Sequence, residues 1–170
     1  MSQLVALSLS IGILGGVATF LYLKLGLAIW AGFVAWACFF HSGGDANAVK
    51  NTIVGNIFGS VCAWVAAMIL VSMPQESLGL AWPAIVVGLT VLVLCLAAHI
   101  KAFSVIPASV YGYACTFAFL LMKEGAMTSA QLTAMDIKGN ALLLIAVSMA
   151  IGALFGMASG KLGAALTKKA

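Results

Sequence analysis

The stretch Phe39–Gly59, FFHSGGDANAVKNTIVGNIFG, gathers His41, Asp45, Asn47, Lys50 and Asn51 in a chain with few other polar side chains. Cys38 stands three positions before His41, and a second pair, Cys95 and His99, is spaced by four. Either spacing puts the two side chains on one helix face. Three kinds of chemistry are open to such histidines. They can be ordinary interface residues, they can gate an entrance with pH because imidazole titrates near neutrality, or they can join the thiols in holding a metal. Neither pair supplies a full tetrahedral donor set, so no metal is expected.

A second set of polar groups sits deeper in apolar sequence. Thr52, Asn56 and Ser60 recur every four residues, and Ser109 and Thr116 flank Gly112. Polar side chains within membrane segments face protein or water rather than lipid. These are uncharged, which favours a path for a neutral or weakly acidic solute. Ser and Thr can instead bond a carbonyl one turn back. Asn56 is harder to satisfy, since an amide has four hydrogen-bonding capacities. No enzyme constellation accompanies them: there is no nucleophile triad, no paired carboxylate in an apolar segment, no P-loop and no dinucleotide fingerprint. Neither catalysis nor a cofactor is expected.

The elements that must position these groups follow from composition. The chain has 170 residues, 64% hydrophobic and 7% charged, against about 25% charged in a soluble domain. A domain of this size exposes too much surface to hide that apolar content from water. Lipid is therefore the expected solvent and the first partner. All eight basic residues are lysines, spread singly apart from Lys168 and Lys169, so no nucleic-acid face is expected. The four cysteines lie in apolar runs and read as reduced, small hydrophobes.

Six apolar segments stand out, at 4–23, 25–40, 52–73, 78–98, 103–122 and 141–166. Strand-like alternation is absent, and backbone groups in lipid must be satisfied within the segment, so helices are expected. The first segment lacks a basic n-region and is long enough to span, which reads as a retained helix rather than a signal peptide. The predicted fold is an all-α, multi-pass membrane helix bundle of about six transmembrane helices, a single integral membrane domain over 1–170. Lys50, Lys101, Lys161, Lys168 and Lys169 on one side, against Lys24, Lys123 and Lys138 on the other, favour both termini in the cytoplasm. Thr128 with Gln131 reads as a capping box. Ser104 reads as the cap of the fifth helix with Pro107 in its first turn, or else the stretch Phe103–Ser109 is a broken entry whose freed backbone groups line a cavity.

An internal echo ties the polar groups together. GNIFGSVCAW from Gly55 and ASVYGYACTF from Ala108 align Asn56 with Ser109, Gly59 with Gly112 and Cys62 with Cys115. Helices two and three thus resemble helices four and five, and in a six-helix chain the two hairpins point the same way. A parallel repeat of this kind places a pathway at the repeat interface, with His41 and His99 opening on one membrane face. A weaker copy, GALFGMAS, begins at Gly152. Gly55 with Gly59, Gly112 with Ala108, and Gly152 with Gly156 each share a helix face, where small residues let backbones approach in lipid.

The stretches SIGILGG, LAIWAGFVAWACFF, GNIFGSVCAW and FSVIPASVYGYACTFA together resemble the small bacterial inner-membrane proteins typified by YcdZ, a domain family of unknown function. That resemblance covers most of residues 8–160 and implies a multi-pass protein of the bacterial inner (cytoplasmic) membrane. It brings no substrate and no site residues. The shorter stretch Asn51–Gly59 distantly resembles the HPP integral-membrane family.

The functional expectation is an oligomeric channel or facilitator for a small solute, amide- or urea-like or a small monovalent anion. Asn56 and Ser109 would be midway donors and acceptors, Thr52, Ser60 and Thr116 would line the same path, and His41 and His99 would stand at the entrance. The alternative is a membrane scaffold, likewise self-associating, whose glycine seams dock partner helices.

Overall fold

In the computed structural model, which describes residues 1–167, the chain is all-helical, with no strand among the described residues. The Lys168–Lys169 tail lies outside the described residues. Helix α1 spans Gln3–Leu25, α2 Ile29–His41, α3 Ala46–Ser72, α4 Ala81–Leu96, α5 Ile106–Met122, α6 Ser129–Leu132 and α7 Ala141–Leu166.

Local chemistry sets these boundaries. The Ser2 hydroxyl caps α1 by accepting the Val5 N–H, and Gly26, at φ 68°, ends it. Asp45 caps α3 by accepting the Ala48 N–H at 2.7 Å. Thr128 caps α6 by accepting the Gln131 N–H. Asn140 does double duty: its Oδ1 accepts from the Leu143 N–H, and its amide donates to the carbonyls of Leu132 and Ala134. It thereby ties the short α6 turn to the start of α7.

Four helices are long and apolar enough to cross a membrane: α1, α3, α7, and α4 together with the 3-10 turn that extends it to His99. The other two apolar segments form shorter helices than the sequence predicts. Helix α2 has 13 residues, about 20 Å at 1.5 Å per residue, because Leu25 belongs to α1 and left-handed Gly26 separates them. Helix α5 has 17 residues, about 25 Å. Its N-terminal approach is broken into two 3-10 turns, Ala97–His99 and Lys101–Phe103. Ser104 does not cap α5: Val105 holds that position, and the Ser104 hydroxyl donates to the Lys101 carbonyl at 3.0 Å.

While α4 rests on α3 and α5, helix α7 packs against α1, α2, α3 and α5. Its Ser148 carbonyl accepts the Tyr22 hydroxyl of α1, while its Ser148 hydroxyl accepts the Ala28 N–H at the head of α2. About three turns on, the Ser159 hydroxyl accepts the Trp36 indole N–H of α2 at 2.9 Å, and the Ser159 carbonyl accepts the Ser10 hydroxyl of α1. The order of these contacts makes α1 antiparallel and α2 parallel to α7. Each bond satisfies a buried donor that has no water to turn to. Replacing Ser159 with alanine strands the buried Trp36 N–H, and a loss of about 1 kcal/mol is expected. Thermal unfolding in micelles measures it. Exposed Ser8→Ala, on the outer face of α1, is the control that should show no change.

The described charges sort by bundle end. Lys50, Lys101 and Lys161, with Asp45, lie at the end holding the N-terminus of α1 and the C-terminus of α7. Lys24, Lys123 and Lys138, with Glu76, Glu124 and Asp136, lie at the other.

Candidate functional site

The two echoing stretches meet each other. A Cβ placed on Gly59 of α3 would overlap the Ser109 carbonyl of α5, and one on Gly112 of α5 would overlap the Asn56 carbonyl of α3. A Cβ on Gly55 would run into that of Ala108. These contacts are reciprocal. Moving 53 positions along the chain turns Gly59 into Gly112, Asn56 into Ser109 and Gly55 into Ala108. Gly55 and Ala108, as counterparts, touch one another, whereas the remaining pairs exchange partners. That pattern is a local two-fold relation between parallel helices, with the axis running along them. A second close approach joins α2 and α7, where a Cβ on Gly152 would overlap the Gly32 carbonyl and one on Gly156 would press on the Phe39 ring.

Around the α3–α5 crossing the polar side chains divide into two groups. Ser60 and Thr116 are satisfied, and both donate to one acceptor, the Gly112 carbonyl, at 3.3 and 2.9 Å. For Thr116 this is the bond one turn back in its own helix. Thr52, Asn56 and Ser109 are different. Asn56 is 1% exposed, and its Nδ2 and Oδ1, the Thr52 Oγ1 and the Ser109 Oγ have no hydrogen-bond partner among the described residues. Asn56 and Ser109 are counterparts in the echo, so the two unpartnered positions straddle the same crossing. Because α3 and α5 touch backbone to backbone there, no solute fits between these two helices at the level of Gly59.

The histidines are not part of this cluster. His41, at the C-terminus of α2, shares a hydrogen bond of 3.0 Å between its Nδ1 and the Tyr111 hydroxyl of α5. His99 is exposed in the 3-10 turn after α4. Cys38 lies 3.8 Å from the Ser42 hydroxyl. No three His, Cys, Asp or Glu side chains converge among the described residues, and all four cysteines are free thiols.

A pocket of about 660 Å³ opens at the same end of the bundle, between the first turns of α3 and the turn before α5. Asn47, Lys50, Asn51 and Val54 form one wall, and Lys101, Ala102 and Ser104 the other. Phe58 and Phe103 stack beside it at 4.1 Å between centroids, which fixes the turn against α3. The sequence contains the signal for this site, since aligning the echo brings the loops carrying Lys50 and Lys101 to one end. The composition of either loop alone does not reveal the pairing.

An all-helical chain with four apolar helices long enough to span a bilayer, and its polar side chains turned inward, has the character of a membrane protein. Residues 8–164 match the model described as "Protein of unknown function (DUF1097)". The chain belongs to that family. No curated protein and no solved structure matches it.

Proposed function

We propose that the chain is a facilitator for a small neutral or weakly acidic solute in the bacterial inner membrane. In this reading it is a protein of the YcdZ type that works as a homo-oligomer, crosses the membrane six times and has both termini in the cytoplasm. The observation that carries the proposal is the unpartnered trio Thr52, Asn56 and Ser109. A buried polar group without a partner costs about 1–3 kcal/mol, and a bundle selected only for stability would replace it. Amide and hydroxyl groups kept in this state are suited to a solute that brings its own donors and acceptors.

The helix directions support six crossings. With α1 entering from the cytoplasm, each successive apolar helix reverses, so α3 and α5 run together and α2 runs with α7, as their contacts require. Short α2 and α5 are accommodated by local thinning of the bilayer. The end that sets three lysines against a single acid, where the other sets three against three acids, is the one this reading places in the cytoplasm. His41, tied to Tyr111, and His99 stand at that mouth. Because the α3–α5 crossing is closed, the route passes beside it, along Thr52 and Asn56, with the crossing as the fixed pivot.

Uptake into proteoliposomes tests the proposal. Vesicles bearing the protein should admit formamide, urea or acetate faster than empty vesicles, and Asn56→Leu should cut that excess by roughly tenfold or more. Equal rates in wild-type, variant and empty vesicles would overturn the transport reading. The scaffold reading draws on a separate observation, the backbone-to-backbone seal at Gly59 and Gly112. It would stand if the protein binds partner helices through its glycine seams while passing no solute.

A further inference from the structure

The pocket between α3 and the Lys101 turn lies on a different flank of α3 from Asn56. Asn47, Lys50, Asn51 and Val54 follow the i, i+3, i+4, i+7 stripe, whereas Asn56 points well away from it. The proposed route does not use this pocket. Its lining carries two lysines, two asparagine amides and a serine, and no acid. The one carboxylate nearby, that of Asp45, is taken up by the Ala48 N–H. The other three acids lie at the opposite end of the bundle.

We infer that this pocket holds the headgroup of an anionic phospholipid. The charge is complementary to a phosphodiester, and the amides and the Ser104 hydroxyl can bond its oxygens. The position fits a lipid better than a free solute, because the lysines stand at the ends of helices, at interface depth. Ile100 and Ile106, exposed on either side of the Lys101 turn, supply apolar surface at that depth for the start of the acyl chains. Basic pockets between membrane helices on the cytoplasmic side are a recurrent form of lipid recognition. The Phe58–Phe103 stack holds the two walls in place, so the site exists before the lipid arrives.

Native mass spectrometry of the full chain in detergent tests the inference, with phosphatidylglycerol and phosphatidylcholine added in turn. The wild-type protein should retain phosphatidylglycerol in preference to phosphatidylcholine. Lys50→Gln with Lys101→Gln should weaken that retention roughly thirty-fold, from the usual contribution of two lysines near an anionic surface. Lys24→Gln with Lys138→Gln, at the other end, should leave it unchanged. All four lysines are exposed, so neither variant threatens the fold. Equal retention of the two lipids would overturn the inference, as would undiminished binding by the Lys50/Lys101 variant. Displacement of the lipid by millimolar inorganic phosphate would reassign the pocket to a free anion. These readouts do not involve solute flux, so the lipid site and the transport reading stand or fall separately.

Discussion

Valine at Gly59 or at Gly112 is expected to unfold the α3–α5 pair, while valine at Gly12 or Gly88 leaves the protein as stable as before. The contrast follows from what each new side chain would meet. At Gly59 and Gly112 the Cβ itself overlaps a backbone carbonyl of the facing helix, Ser109 in one case and Asn56 in the other. A flexible side chain can swing aside, but a helix backbone held by its own hydrogen bonds has to move as a body. Overpacking costs about 1–3 kcal/mol where neighbours can adjust, and more where they cannot. A loss of at least about 3 kcal/mol is therefore expected at either glycine, and alanine should already be harmful. At Gly12 and Gly88 nothing lies within 4 Å of the added Cβ. Unfolding by a denaturing detergent in mixed micelles measures all four variants. If the Gly59 and Gly112 variants unfold with the controls, the close crossing of α3 and α5 is wrong. Because the contact is reciprocal, the two damaging variants should also cost similar amounts.

Much of this crossing can be read from the sequence. The spacing of Gly55 and Gly59, their echo at Ala108 and Gly112, and the absence of strand alternation all point to helices approaching along small residues. What spacing cannot give is which face meets which helix. The same glycines would serve a contact between subunits, and only the assembled bundle turns Gly59 toward Ser109. Element ends were harder still. Leu25 opens the second apolar segment, and the turn falls at Lys24–Gly26 as the sequence suggests, but left-handed Gly26 hands Leu25 to α1. The expected cap at Ser104 falls one residue short, because Ser104 closes the 3-10 turn at Lys101–Phe103 and Val105 takes the cap position of α5. Both differences turn on the residue at which the backbone changes conformation, and apolar periodicity carries no information about that.

The polar residues show the same division. Chemistry alone separates Asn56 from Thr116, because a hydroxyl can retire onto its own helix and an amide cannot. Thr116 does so, on Gly112. Ser60 reaches the same carbonyl from the facing helix, a contact that needs the parallel alignment of α3 and α5. Ser109 has no such acceptor. Its own carbonyl lies against Gly59 and its hydroxyl is left over, although in sequence it looks no different from Ser60. The Lys50–Lys101 pocket was legible only in part, since each lysine reads singly as an orientation signal, and their meeting depends on the turn that the Phe58–Phe103 stack holds down.

Replacing Asn56 with leucine is expected to separate stability from transport. The Asn56 carbonyl, which forms the seam with Gly112, belongs to the backbone and is untouched by the substitution. Leucine keeps the branched shape and the count of heavy atoms of the asparagine side chain, so it is the apolar replacement that disturbs the packing least. What disappears is a buried amide with no partner for Nδ2 or Oδ1, and removing such a group relieves a desolvation cost of about 1 kcal/mol or more. Thermal stability in micelles should therefore stay level or rise. Solute uptake should fall by roughly tenfold or more, the rate equivalent of one lost hydrogen bond to the passing molecule. Thr52→Val should act in the same direction with a smaller effect, since it deletes one hydroxyl rather than a whole amide. A gain in stability at the expense of activity is the usual mark of a polar group retained for function. Marked destabilisation of Asn56→Leu would mean the opposite: the amide would be bonded within the bundle and would serve to hold it together, and the scaffold reading would take the place of the conduit.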